Sequence, residues 1–381
     1  MQTNDTDLLF QTNSDLEFSS ARQKKLKAAE KLGNPFRISS KVLDLVIEGD
    51  EAWVAESGWQ IRRVDLNSFT TKKLYKGHSG PVTSVVLYDT PGGLRVLSGS
   101  WDKTIRIWDI KTAQVLHILK GHTDFVKSLL ILPLPRPLLL STSSDRSLRL
   151  WDLSPLQENN PPICIQTIRE HTRPVESSTY RIFTDESGQR TEVYIWTSDS
   201  LGVMKEWELK DDQLVFRRDI KGHETSVGFI LATEDGLWSA SMDKSIMFHP
   251  HPPSAPLKPI SILHTGYVKS LLPLPASSTS PSLLLTAGDD EDLHVFPLDD
   301  VLEGQTPKPI LVPGHCAEVS VLRLWRKEGK AVILSGSLDG TIRNWSIPEL
   351  LNPAPLVYEE EKETVELTED EQRELAELMD E

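Results

Sequence analysis

One phrase of about a dozen residues returns along this chain, and it limits the fold more than anything else in the sequence. Ser98-Gly-Ser-Trp-Asp102-Lys-Thr-Ile-Arg-Ile-Trp108-Asp109 recurs as Ser141-Thr-Ser-Ser-Asp145-Arg-Ser-Leu-Arg-Leu-Trp151-Asp152 and as Ser335-Gly-Ser-Leu-Asp339-Gly-Thr-Ile-Arg-Asn-Trp345. Weaker copies run from Ser239 through Asp243 to Phe248 and from Thr286 through Asp290 to Phe296, and one from Asp199 to Trp207 carries two extra residues. Successive aspartates lie 43, 54, 44, 47 and 49 residues apart. A histidine precedes each copy: His78, His122, His171, His223, His264 and His315, usually after a glycine. Between these landmarks the stretches are short, β-branched and alternating, as at 82–87 and 104–108, with turn residues every 8–12 positions. A degenerate copy at 42–47, 52–56, 60–66 and 71–75 keeps the strand pattern but lacks the Asp and the Trp. Six copies and this one make seven units. The 25 prolines sit mostly between strands, where no ladder N–H is needed.

The recurring Gly-His and Trp-Asp landmarks resemble the WD40 family, with its repeats of about 40–45 residues and four strands per blade. The resemblance covers roughly residues 40–350 and implies an all-β fold, a seven-bladed WD40-type β-propeller with short flexible or helical extensions. The expected division is a polar extension at 1–35, the propeller at 36–358 and an acidic tail at 359–381. Blade seven shows three strands and needs a fourth. Candidates are residues 7–11, 36–39 or 355–358, and a strand from the N-terminal side is favoured because the family usually closes its ring from the opposite terminus.

Ser98, His78 and Asp102 are the side-chain types of an acyl-transfer triad. Their repetition as His122, Ser141, Asp145 with Trp151, and as His315, Ser335, Asp339 with Trp345, defeats that reading, since no enzyme needs one nucleophile several times around a ring. The resemblance implies instead a buried hydrogen-bonded chain of His, Ser/Thr, Asp and Trp, in which imidazole and hydroxyl satisfy a carboxylate too costly to bury alone and Trp108 closes the far end. Phe248 and Phe296 in blades five and six cannot donate, so shorter networks are expected there.

No other chemistry stands out. His249 and His251 are two apart, but lie in a proline-rich connector without a second pair of ligands, so no metal is expected. No phosphate-cradling loop is present, and Gly92-Gly93 reads as a hairpin turn. Neither a cofactor nor a catalytic activity is expected. The net charge of −15 argues against nucleic acid as the main partner, because phosphate binding needs clustered Lys and Arg. Twelve acidic residues within 359–381 against Lys362 and Arg373 supply −10 of that charge. Two cysteines, a polar start and no apolar run near ~20 residues point to the cytosol or nucleus and away from a membrane.

The expected partners are therefore other proteins or peptides. By the resemblance, the loops entering each blade and those bearing the Asp turn share one face, called the top. Residues there that point toward the central opening include Trp101, Phe125, Lys127, Met242, Tyr267, Lys269 and Leu338, with Ser198 before the blade-four aspartate. So many apolar side chains ringed by charge have the look of an interface. Blades three and six share a phrase, Phe125-Val-Lys-Ser-Leu-Leu against Tyr267-Val-Lys-Ser-Leu-Leu. Insertions at 155–162, 184–190, 250–256, 276–281 and 299–306 fall on the other face, as a docking surface or as drift. A short basic helix is expected over 20–33, and Thr368 with Glu371 forms a capping box that would open a helix in the acidic tail. The leading functional expectation is a scaffold or adaptor of a multiprotein complex. Two alternatives are a substrate receptor of a cullin-RING ubiquitin ligase, from the box Trp108-Asp109-Ile-Lys111, and an escort for a basic protein, for example a ribosomal one, from the acidic tail.

Overall fold

The computed structural model describes residues 13–184, 191–251, 259–277 and 280–358. Residues 30–355 form one unit, and residues 1–29 with 356–381 form another. The larger unit is a seven-bladed β-propeller, each blade an antiparallel sheet of four strands. Blades one to six span residues 42–76, 82–119, 126–168, 175–220, 227–263 and 268–312. Blade seven holds Val319–Lys327, Lys330–Ser337 and Thr341–Ser346, and its fourth strand is Phe36–Arg37. The ring thus closes from the N-terminal side, at the second of the three candidate segments. Residues 355–358 form no strand, while 7–11 lie outside the described residues.

The degenerate first copy is a full blade, with strands Val42–Glu48, Glu51–Glu56, Gln60–Asp65 and Thr70–Lys76. It holds together by other means. Glu56, fully buried, accepts from Arg62 Nε at 2.5 Å and Gln60 Nε2 at 2.9 Å, and Ser40 also donates to it.

Blades pack face to face through the middle strands. Small residues are required where the next blade leans in: a Cβ on Gly99 would stand 2.6 Å from Val126 Cγ1, and one on Gly336 2.6 Å from Val42 Cγ1. The second contact lies between blade seven and blade one, so the seam repeats the packing found elsewhere in the ring. Ser320 donates to the Val42 carbonyl at 2.8 Å as Thr83 does to Val126 at 2.6 Å. Arg323 pairs with Asp44 at 2.8 Å and Trp325 donates to Asp50 at 3.2 Å, adding polar links across the seam.

The helix expected over 20–33 is Asn13–Ala28, starting earlier and ending before Gly33. Two of the insertions carry short helical segments, Ser154–Glu158 and Leu298–Leu302. Most of the insertions at 184–190 and 250–256, and the acidic tail, lie outside the described residues. No described helix is long and apolar enough to cross a membrane.

Candidate functional site

In blades two, three, four and seven the recurring residues meet in a tetrad built the same way. In blade two His78 Nδ1 lies 2.7 Å from Asp102 Oδ2, His78 Nε2 lies 2.8 Å from Ser98 Oγ, and Trp108 Nε1 donates to that hydroxyl at 2.8 Å. Blade three repeats this with His122, Asp145, Ser141 and Trp151 at 3.1, 2.8 and 2.9 Å. Blade seven does so with His315, Asp339, Ser335 and Trp345 at 3.2, 2.7 and 2.9 Å. The proton count fixes the polarity. The indole N–H donates to the hydroxyl, the hydroxyl to Nε2, and Nδ1–H to the carboxylate, so every donor is used once. Burial alone would raise the pKa of Asp102, but hydrogen bonds from His78 and Thr104 hold it well below the ordinary carboxylate value; Asp145 and Asp339 are held down in the same way. Burial pushes His78 down, which keeps the imidazole neutral.

Blade four was not assigned a network from the sequence, yet it has one. His171 joins Asp199 at 2.9 Å and Thr197 at 2.8 Å, and Trp207 donates to Thr197 at 2.8 Å. The strand register shows no insertion: Ser198 pairs with Met204 as Gly99 does with Ile105, so hydroxyl and indole keep their ten-residue separation and the expected two extra residues reflect only an aspartate standing two positions earlier in a turn of ordinary length. The same shift corrects the placement of Ser198, which is buried and donates to the Val227 carbonyl; Ser200, half-buried, takes the turn position and donates its N–H to Pro174.

Blade five corrects a second expectation. Val96 pairs with Trp108 in blade two, and the corresponding partner of Leu237 is His249, not Phe248. The tryptophan site is therefore filled by an imidazole. Its Nε2 has no partner, and burial with nearby His223 and Arg218 pushes its pKa down to about 4. His223 still meets Asp243 at 3.0 Å and Ser239 at 2.7 Å, and no indole reaches Ser239, so this network is the shorter one expected. Phe296 does fill the tryptophan site of blade six, opposite Leu284. His251 lies elsewhere, with its ring centre 5.0–5.2 Å from Phe183, Tyr194 and Trp196, so it does not converge with His249.

The glycine before His78, His122 and His315 also has a reason. A Cβ on Gly77 would meet Arg106 Nη1 at 2.7 Å, one on Gly121 would meet Arg149 Nη1 at 2.7 Å, and one on Gly314 would meet Trp345 at 2.7 Å. Despite triad-like geometry, Ser98, Ser141, Thr197 and Ser335 are wholly buried, and each hydroxyl already holds an indole. No substrate carbonyl can reach them.

The exposed chemistry lies at one end of the central channel. The turn residue before each aspartate donates its N–H to the loop entering the same blade: Trp101 to Pro81, Ser144 to Phe125, Met242 to Ser226, Asp289 to Tyr267 and Leu338 to Glu318, at 2.9–3.2 Å. This brings the two sets of loops together on the top. Trp101 and Phe125, 43% and 36% exposed, stack with ring centres 4.8 Å apart and planes at 15°. They bridge blades two and three. Below them a cavity of about 550 Å³ is lined by the first strands, and Trp101, Lys127, Lys269 and Leu338 all border it. Lys127 pairs with Glu176 at 3.1 Å, Arg323 with Asp44, and Tyr267 donates to Glu318 at 2.7 Å. Lys269 has no ion-pair partner among the described residues. Met242 is exposed at 49% but does not border the cavity. The shared phrase of blades three and six thus produces different environments, a stacked aromatic beside a paired lysine and a tethered phenol beside a free one.

The box from Ile105 to Lys111 is largely consumed inside blade two. Trp108 serves the tetrad, and Asp109 takes Arg95 at 2.9 Å and caps the turn through the N–H groups of Lys111 and Thr112. Lys111 itself is exposed.

The chain matches the WD domain, G-beta repeat family over residues 69–109, 113–152 and 307–346, each match joining the outer strand of one blade to the first three strands of the next, those of blades two, three and seven. An uncharacterised WD repeat-containing protein of Schizosaccharomyces pombe is 28% identical over 368 residues, 91% of this chain and 90% of that protein. Denticleless protein homolog B of Xenopus laevis is 23% identical across 72% of the chain, and transducin beta-like protein 3 of Mus musculus is 21% identical across 73%. The chain spans about two fifths of the length of these last two, 42% and 39%. Repeat, register and relatives agree on a β-propeller of WD40 repeats.

Proposed function

We propose that this protein is a non-catalytic platform that docks other proteins at the top of its channel, as a scaffold or adaptor subunit. The observation that carries the reading is the stacked pair Trp101 and Phe125, left open to solvent at the channel mouth. Large aromatic side chains cost little rotamer entropy to order and supply most of the contact energy where they anchor a partner. Lys269, without an ion pair among the described residues, adds a site for a carboxylate. The partner this chemistry suits is a peptide or loop with an apolar anchor followed by an acidic group. The WD40 repeats support the same reading, since WD40 propellers are in general interaction folds.

The ligase-receptor reading ranks lower, because Trp108 and Asp109 are engaged within blade two and leave Lys111 as the exposed part of the box. The escort reading rests on the acidic tail alone. Affinity purification with mass spectrometry separates the three. Under the favoured reading, Trp101→Ala with Phe125→Ala loses the principal partner while the melting temperature stays within a few degrees. Retention of that partner, with loss on Lys111→Glu or on deletion of 359–381, overturns it in favour of the second or third reading.

A further inference from the structure

Blade six departs from the repeat in a way that leaves several buried donor atoms unaccounted for. His264, Thr286 and Asp290 hold the imidazole, hydroxyl and carboxylate positions. In the five other blades with this set, the imidazole meets its hydroxyl at 2.7–2.8 Å. In blade six, His264 Nε2 and Thr286 Oγ1 have no partner although both residues are buried, and His264 Nδ1 lies 3.4 Å from Asp290 Oδ2. Buried polar atoms are nearly always satisfied, so a group of them in one place asks for an explanation.

A second imidazole accounts for the change. Arg106, Arg149 and Arg343 stand opposite the hydroxyl residue in blades two, three and seven, and His294 takes that place opposite Thr286. Its ring lies against His264 with centres 3.8 Å apart, and its Nε2 is 2.7 Å from Asp290 Oδ2, while its Nδ1 has no partner. One donor atom from each of His264, Asp290 and His294 lies within 4.8 Å of the others. The two histidines are 7% and 2% exposed.

Charge changes in the same blade. The residue after the turn aspartate is Lys103, Arg146 and Lys244 in blades two, three and five, but Glu291 here, and the turn reads Asp289-Asp290-Glu291-Asp292. The backbone N–H of Gly266 points at His264 Nδ1 from 3.4 Å. In the tautomer that accepts it, a nitrogen lone pair faces a carboxylate oxygen, an arrangement that a cation between them resolves.

Two imidazoles and one carboxylate are a donor set for divalent transition metals, Zn²⁺ above all in a tetrahedral site with one position left open. We propose that His264, Asp290 and His294 form a Zn²⁺ site in blade six, with the Thr286 hydroxyl or a water as the further ligand. Coordination through His294 Nε2 places the ring N–H on Nδ1 instead, so the proton now directed at Asp290 stays on the imidazole and the carboxylate oxygen is freed for the cation. Asp290 also accepts from the Thr265 hydroxyl at 2.5 Å, which orients the carboxylate.

The test uses the full chain stripped with a chelator. Calorimetric titration with ZnCl₂ is expected to give one Zn²⁺ per chain. Co²⁺ is expected to give visible ligand-field bands. His294→Arg, which installs the residue of blades two, three and seven, should reduce affinity at least about tenfold, while circular dichroism stays native. His251→Asn should bind as the unaltered chain does. If His294→Arg does not fold, X-ray absorption of the zinc-loaded natural chain still decides, two imidazole shells supporting the site. Absence of stoichiometric Zn²⁺, equal binding by His294→Arg, or loss of binding in His251→Asn overturns the proposal.

Discussion

Ser98 accepts from Trp108 and donates to His78, so a methyl group in place of its hydroxyl leaves two buried groups without partners. Each orphaned group costs about 1–3 kcal/mol. Ser98→Ala is therefore expected to lower the urea midpoint more than Ser239→Ala in blade five, where only His223 loses a partner. Equal losses in the two variants would show that the indole bond contributes nothing. Titration gives a second residue-scale prediction. Burial lowers the pKa values of His78, His223 and, to about 4, of His249. A base whose folded pKa lies below its unfolded value, near 6.5, contributes stability that is present above that value and is lost as pH falls through the folded pKa. The urea midpoint should thus decline from pH 7 toward pH 4. Below about pH 4 the depressed carboxylates of Asp102, Asp145 and Asp339 add a further loss by the same sign. A midpoint flat between pH 7 and 5 would contradict this. At this scale the tetrads of blades two, three and seven were legible because their side chains keep a fixed spacing. Thr197 and His249 were not, because an aspartate standing two positions early in its turn and a one-residue offset from Phe248 become visible only once strands are paired.

The closing strand Phe36–Arg37 is the shortest element of the propeller, yet it covers the outer edge of blade seven, pairing Phe36 with Ile342 and Arg37 with Thr341. An uncovered edge is a template for association. The chain around it is fitted closely. Ile38 donates to the Gly340 carbonyl at 2.8 Å, Asn344 donates to the Gly33 carbonyl at 2.8 Å, and a Cβ on Gly340 would stand 2.9 Å from the Ile38 carbonyl oxygen. Lys103, Arg146 and Lys244 occupy the matching turn position at φ near 70° without such a neighbour, so a left-handed side chain is tolerated there but not in blade seven. Gly340→Lys is expected to cost about 1–3 kcal/mol and to promote oligomers seen by light scattering, whereas Lys103→Gly should do neither. A monomeric Gly340→Lys protein of natural stability would refute the fit. Strand content was readable from β-branched alternation, down to the degenerate first blade. The partner of the last blade was narrowed to three segments and no further, since two residues of strand carry almost no pattern of their own.

Across the whole molecule, the ring presents one exposed aromatic pair at the channel mouth and leaves Lys269 as the lining cation without an ion pair among the described residues. The sequence placed Trp101, Phe125, Lys127, Tyr267, Lys269 and Leu338 on one face through the family resemblance. Which of them pair off was beyond it, because the Lys127–Glu176 and Tyr267–Glu318 contacts join residues 49 and 51 positions apart. Exposure of the aromatic pair can be read without knowing a partner's name: Trp101→Ala should reduce the solvent-quenchable tryptophan fluorescence to the part owed to exposed Trp59, while Trp53, Trp108, Trp196, Trp207 and Trp238 are buried and stay unquenched. The most direct measurement of the central claim is hydrogen–deuterium exchange of the chain alone and with the partner recovered by affinity purification. Protection is predicted in the entering loops and Asp turns of blades two and three, at residues 79–83, 100–104 and 124–128, and beside Lys269 and Leu338. Protection confined to the opposite end, at 155–162 and 299–306, with the channel mouth exchanging as before, would contradict the account.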